Sequence, residues 1–147
     1  MTLRLLEFLA TLFAGIFAGA ALYVTFAEHP VRLSFDARTA VSHWAPSYKR
    51  ATLMQAPLAV LSSLSGLLAW LHGAGTLWLY TAVLIGLVVP FTLIVIMPTN
   101  RRLLESNPDL ASEQTRLLLV RWGNLHAVRT WMSLAAFMGD LWLVTAA

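Results

Sequence analysis

An all-α, membrane-embedded four-helix bundle is the fold class this sequence predicts, on three observations. Apolar residues make up 59% of the 147 residues and charged residues only 12%, about half the charge of an ordinary soluble domain. The apolar residues gather into four runs, each near the length that crosses about 30 Å of hydrocarbon. Lys and Arg are divided very unevenly between the two sides that four crossings define. We therefore read residues 1–147 as a single transmembrane domain. Its helices cover about 3–27, 50–71, 76–97 and 120–146, with short interfacial helices in the loops.

The first run, Leu5–Phe26, is interrupted only by Glu7, which can pair with Arg4 three residues earlier. Arg4 and the triplet Ala18-Gly19-Ala20 imitate a secretory signal and its cleavage site. Glu7 would break the apolar core of such a signal, so the run is expected to stay as a helix. Gly15 and Gly19 lie four apart beside Ala14 and Ala18. Small residues at this spacing let helices approach closely in lipid, so this face is expected to support a homo-oligomer. Pro30 follows His29 and is expected to bend or end the helix.

The loop Leu33–Lys49 mixes Ser34, Asp36, Arg38, His43, Trp44 and Tyr48, a composition suited to an interfacial helix. Ala51–Trp70 and Thr76–Met97 then run without a charge. Between them Leu71–Gly75 is a short Gly-containing turn. Pro57 lies early in the second helix. Pro90 lies deep in the third, where it leaves the Gly86 carbonyl without its intrahelical partner and predicts a kink. Pro98 is expected to close that helix, and Thr99 or Asn100 to cap the next one. From Pro108, Asp109 to Arg116 begins an amphipathic helix with acids in its first turn. It continues into the last apolar run, Thr130–Thr145, with Gly123 as a bend.

Four crossings put both termini on one side. Arg32, Arg38, Lys49, Arg50, Arg101, Arg102, Arg116, Arg121 and Arg129 fall on the other, with only Arg4 on the terminal side. The positive-inside rule then places loops 28–50 and 98–121 in the cytoplasm and both termini outside, in an inner (plasma) membrane. The basic residues sit in connections rather than on one folded patch, so no nucleic-acid partner is expected. The chain has no cysteine, which excludes disulfides, thiolate metal sites and cysteine nucleophiles.

Three polar clusters share the cytoplasmic ends of the helices: Glu28-His29, Asn100, and Arg121 to Trp131. In the last of these, Trp122, His126 and Arg129 occupy one helix face. Arg121 and Trp131 suit an interfacial belt. A carboxylate beside an imidazole suits proton transfer or metal ligation. With Arg32, Trp44, Tyr48 and Trp122 as lining, these groups outline an apolar pocket with convergent polar side chains, the usual form of a ligand site.

Glu28-His29-Pro-x-Arg32, Met97-Pro-Thr-Asn-Arg-Arg-Leu103 and Arg121-Trp-x-x-x-His-x-x-Arg129 resemble, in order and over nearly the whole chain, the anthrone oxygenase-like family of small four-helix membrane proteins. Most of its members have no assigned function; the named fungal ones oxidise anthrones to anthraquinones with dioxygen. The resemblance implies a membrane oxygenase or related oxidoreductase acting on a lipophilic aromatic substrate, anthrone-like or quinol-like. Its site residues would be Glu28, His29, Arg32, Asn100, Trp122, His126 and Arg129. His126 or Glu28 would remove a proton and Arg129 with Asn100 would steady the oxyanion, with no cofactor required. Two other readings stay open. One is a non-enzymatic accessory subunit or binder of a hydrophobic small molecule. The other is a metal site built from Glu28, His29 and His126, or a haem held by His29 and His126.

Overall fold

The computed structural model describes residues 2–105 and 112–146, which form four long helices. They are α1 (Thr2–Leu33), α2 (Ala37–Leu71), α3 (Leu77–Leu104) and α4 (Glu113–Ala146). Each packs on its neighbours in the chain, and α1 closes the ring against α4. The first three are long and apolar enough to cross a membrane, with mean hydropathy 2.0, 1.4 and 2.5. α4 is long enough but more polar, because His126, Thr130, Ser133 and Asp140 lie on its buried face. It runs beside α1 from the His29–Trp122 contact to the Gly15–Phe137 contact. The chain is thus a membrane protein of the expected class.

The helices outrun the apolar segments. α1 continues seven residues past Phe26, through Pro30, and α3 continues through Pro98 to Leu104. Both prolines were expected to bend or close their helices. In each case a π-helical turn ends two residues before the proline: Val24–Glu28 and Thr92–Ile96. The His29 N–H bonds the Val24 carbonyl, and the Met97 N–H bonds the Thr92 carbonyl, each five residues back. The carbonyl that a proline ring would crowd, four residues earlier, lies inside the widened turn in both helices. Since α3 runs on, Thr99 and Asn100 cap nothing; both are buried in its last turns.

The interfacial helix and the second span are one continuous helix, α2. Asp36 caps its N-terminus, accepting from the Thr39 N–H at 3.0 Å and the Thr39 hydroxyl at 2.6 Å. The same hydroxyl and N–H hold the Asp36 carboxyl below the usual carboxylate range. Pro90 acts where expected: the α-helical run of α3 stops at Gly86 and restarts at Val88. The tight turn after α2 uses Gly73 at φ +95°, a conformation that favours glycine. The start of the amphipathic stretch, Pro108–Ala111, lies outside the described residues; from Glu113 it is continuous with α4.

Small residues set the spacing. A Cβ on Gly66 would approach the Ala82 Cβ to 3.0 Å, and one on Gly86 the Ser63 Oγ to 2.6 Å. Ser62 donates to the Ala10 carbonyl at 2.9 Å, and Ser63 to the Ala82 carbonyl at 2.8 Å. Gly15 takes the Phe137 ring of the same chain, whereas nothing packs near Gly19. Close approach at Gly15 is therefore used within the bundle. Arg4 pairs with Glu7 at 3.4 Å, as the spacing suggested.

Candidate functional site

Two apolar clusters bracket a polar layer. Towards the loops, Val41, Trp44, Leu103, Leu119 and Trp122 belong to one cluster; deeper, Phe17, Ala59, Ile85 and Ala136 belong to the other. The layer is built on Trp122, the member of the first cluster that faces it. Its indole contacts His29 and His126 with ring centroids 5.1 and 4.9 Å away. It meets Trp44 edge-on at 5.8 Å, and the Arg32 guanidinium lies 5.9 Å from its centroid. Trp44 in turn stacks on Tyr48 at 4.9 Å. The i, i+4, i+7 spacing on α4 delivers Trp122, His126 and Arg129 to one side, as expected.

His126 is 3% exposed and its Nδ1 lies 3.1 Å from the Thr25 hydroxyl. Thr25 is 2.8 Å from the Thr130 hydroxyl, which donates towards the Ala21 carbonyl at 3.3 Å. A carbonyl only accepts. With the Thr130 proton on the Ala21 carbonyl or on the His126 carbonyl at 3.2 Å, and the Thr25 proton on Thr130, the matching tautomer has His126 Nδ1–H donating to Thr25 and Nε2 as acceptor.

Arg129 donates to the Gln55 side-chain oxygen at 2.9 Å, and its guanidinium lies 5.5 Å from the centre of the Phe17 ring. Neither partner carries a negative charge. Arg32, by contrast, is ion-paired with Glu28, and Ser47 donates to the same carboxylate oxygen at 2.5 Å. A guanidinium held at membrane depth without a carboxylate partner is costly unless an anion completes it.

Two cavities meet at Arg129, Tyr48 and Thr52. The smaller, about 20 Å³, also touches Arg32, Gln55, Trp122 and His126. The larger, about 90 Å³, runs between α2 and α3, past Ala56, Ala59, Val88 and Leu93. Of the residues singled out from sequence, Arg32, Tyr48, Trp122, His126 and Arg129 border these cavities. Glu28, His29, Asn100 and Trp44 border neither. Glu28 is taken up by Arg32 and Ser47. Trp44 is fully buried behind Tyr48. The His29 ring packs where a Cβ on residue 123 would collide with it, so Gly123 is a seat for that ring and not a bend. Asn100 is fully buried, and neither its amide nitrogen nor its oxygen has a hydrogen-bond partner.

Among the described residues no three His, Asp or Glu side chains converge to hold a metal ion, so Glu28, His29 and His126 do not form a ligand set. Both imidazoles pack on the Trp122 indole, which does not fit a haem held between them. Sequence reasoning missed Gln55, Thr25 and Thr130. Gln55 had a signal: it is the one amide in the charge-free run Ala51–Trp70, and buried amides in membrane helices hydrogen-bond across the bundle.

The sequence profile described as anthrone oxygenase matches residues 44–139, which include most of this layer. The chain belongs to the anthrone oxygenase family. Anthrone oxygenase tpcL of Aspergillus fumigatus is similar to it, at 43% identity over 72 residues. That stretch is 47% of this chain and 43% of the fungal protein, so the similarity spans less than half of its length. No solved structure matches. Family membership agrees with the apolar helices of a membrane protein.

Proposed function

We propose that the chain oxidises a lipophilic, anthrone-like aromatic substrate, with an acidic C–H opposite a carbonyl, using dioxygen. The observation that carries this reading is the juxtaposition of His126 with Arg129, a half-buried cation without an anionic partner, on adjoining cavities. His126 Nε2 removes the proton, and the carbonyl oxygen takes up the charge beside Arg129. The electron-rich carbon passes its electrons to dioxygen and gains a C–O bond. The resulting hydroperoxide loses water, so that CH2 plus O2 becomes C=O plus H2O. Gln55 orients Arg129, the Thr25–Thr130 pair orients His126, and Arg32, Tyr48 and Trp122 shape the wall. Glu28 serves as counter-ion to Arg32, and His29 backs the Trp122 ring. The nine-to-one division of Lys and Arg supports an inner (plasma) membrane orientation with the α1–α2 and α3–α4 loops in the cytoplasm.

The test is oxygen consumption with 1,8-dihydroxyanthrone, compared with its uncatalysed oxidation. His126→Gln is expected to lower turnover by about 10²- to 10⁴-fold, the span of general-base contributions, while the protein inserts and unfolds as the parent does. Full activity in His126→Gln would remove the base assignment. A parent chain no faster than the uncatalysed reaction would favour the second reading, a non-enzymatic binder. That reading draws on the Glu28–Arg32–Ser47 network, which ties α1 to α2 without a ligand.

A further inference from the structure

We infer that the cleft between the loop-side halves of α2 and α3 is a lateral portal, through which a flat, lipophilic substrate bearing an acidic oxygen passes from the acyl chains to Arg129. This rests on the function proposed above and adds the route and its chemical selectivity. Three independent features of the bundle carry it.

The first is where α2 and α3 touch. Away from the loops they are zipped by Gly66 against Ala82 and Gly86 against Ser63, with Ser63 bonded to the Ala82 carbonyl. Directly beyond Gly86 the regular α-helical pattern of α3 is interrupted at Leu87, meets Pro90 and widens into the π-helical turn Thr92–Ile96. Helix kinks at proline and at π turns redirect the axis. The cavity of about 90 Å³ opens over this stretch, with Thr52 and Ala56 on one lip and Leu93 and Met97 on the other. Thr52, Ala56 and Leu93 are exposed on the outer surface, where the bilayer would lie.

The second is that the alternative route is filled. On the loop side of His126 and Arg129 the bundle is plugged by Trp44, Leu119, Leu103 and Trp122, none more than 5% exposed. A rigid tricyclic molecule coming from the aqueous side would have to displace that packed cluster.

The third is chemical. The cleft is mainly apolar, with only Thr52, Thr92 and Tyr48 as neutral polar side chains, and the Arg129 guanidinium is the one charge that borders it. A hydrocarbon chain fits the walls but leaves the cation unanswered. A phenol, enol or carboxylate attached to an apolar ring answers both. The portal therefore selects amphiphilic aromatics over bulk lipid.

The absence of native cysteine allows a reversible closure of the cleft. Ala56→Cys and Leu93→Cys are combined in the full chain in nanodiscs and bridged by a reducible bifunctional thiol reagent. The probe is 1,8-dihydroxyanthraquinone, a tricyclic phenol already at the quinone level, and its association rate is followed by absorbance. Each single variant, capped with a monofunctional reagent, is the control for bulk at the lip. Bridging is expected to slow association at least tenfold beyond the slowing that added bulk causes in the capped singles, with recovery on reduction. An unchanged rate in the bridged protein overturns the portal while leaving the proposed function standing. If the unbridged protein fails to bind the probe at all, the portal and the reading beneath it fall together.

Discussion

Asn100 is the residue whose burial makes least sense as packing. An amide with neither donor nor acceptor satisfied in the interior costs about 1–3 kcal/mol. Asn100→Leu removes that cost at similar volume. It is expected to raise the unfolding temperature in detergent and lower activity on the anthrone, the trade shown by residues retained for function. A loss of stability in Asn100→Leu would instead mean that the amide is satisfied in the membrane and structural. Gly123 gives the opposite sign. Gly123→Ala drives a methyl into the His29 ring and is expected to cost about 1–3 kcal/mol, as overpacking does. His29→Ala in the same chain should recover part of the loss if the collision is the cause. Sequence alone made Trp122, His126 and Arg129 visible as a set, because one helix and one spacing contain them. Gln55 stood out only as a lone amide, and its partner, like the roles of Thr25 and Gly123, was not legible. Each depends on which residue of another helix faces it, and a single sequence holds no record of that register.

The helices themselves were legible and their ends were not, for a physical reason. Hydrophobicity reports where the chain meets hydrocarbon, whereas a helix ends where its backbone hydrogen bonds end. Pro30 and Pro98 looked like stops because the π turns ahead of them leave no mark in composition. Each π turn amounts to one residue more than an α-helix needs. Inserting an alanine after Ala27, inside Val24–Glu28, adds a second surplus residue and should rotate everything after it by about 100°. His29 and Arg32 would then leave the Trp122 face. Circular dichroism should show unchanged helix content, while the unfolding temperature falls and 1,8-dihydroxyanthraquinone binding is lost. Retained binding after this insertion would show that the loop-side end of α1 does not build the site.

At the scale of the whole molecule, the site has to be placed relative to the two sides of the membrane. Arg32, Arg101, Arg102, Arg116 and Arg121 belong to the loop-side ends of three different helices. Inverting the bundle would carry them all across, which is the physical content of the positive-inside rule. The four-crossing arrangement then fixes the side of every other connection. Ser34, between α1 and α2, and Gly75, between α2 and α3, are both exposed and lie at opposite ends of the bundle. Single cysteines at these positions are readable against a chain with none of its own. In intact spheroplasts an impermeant maleimide is expected to label Gly75→Cys and to reach Ser34→Cys only after permeabilisation. The reversed pattern would put the basic ends outside. The loop-side plug of Trp44 and Leu119 would then face the exterior, and a substrate made in the cytoplasm would reach the α2–α3 cleft from the opposite leaflet.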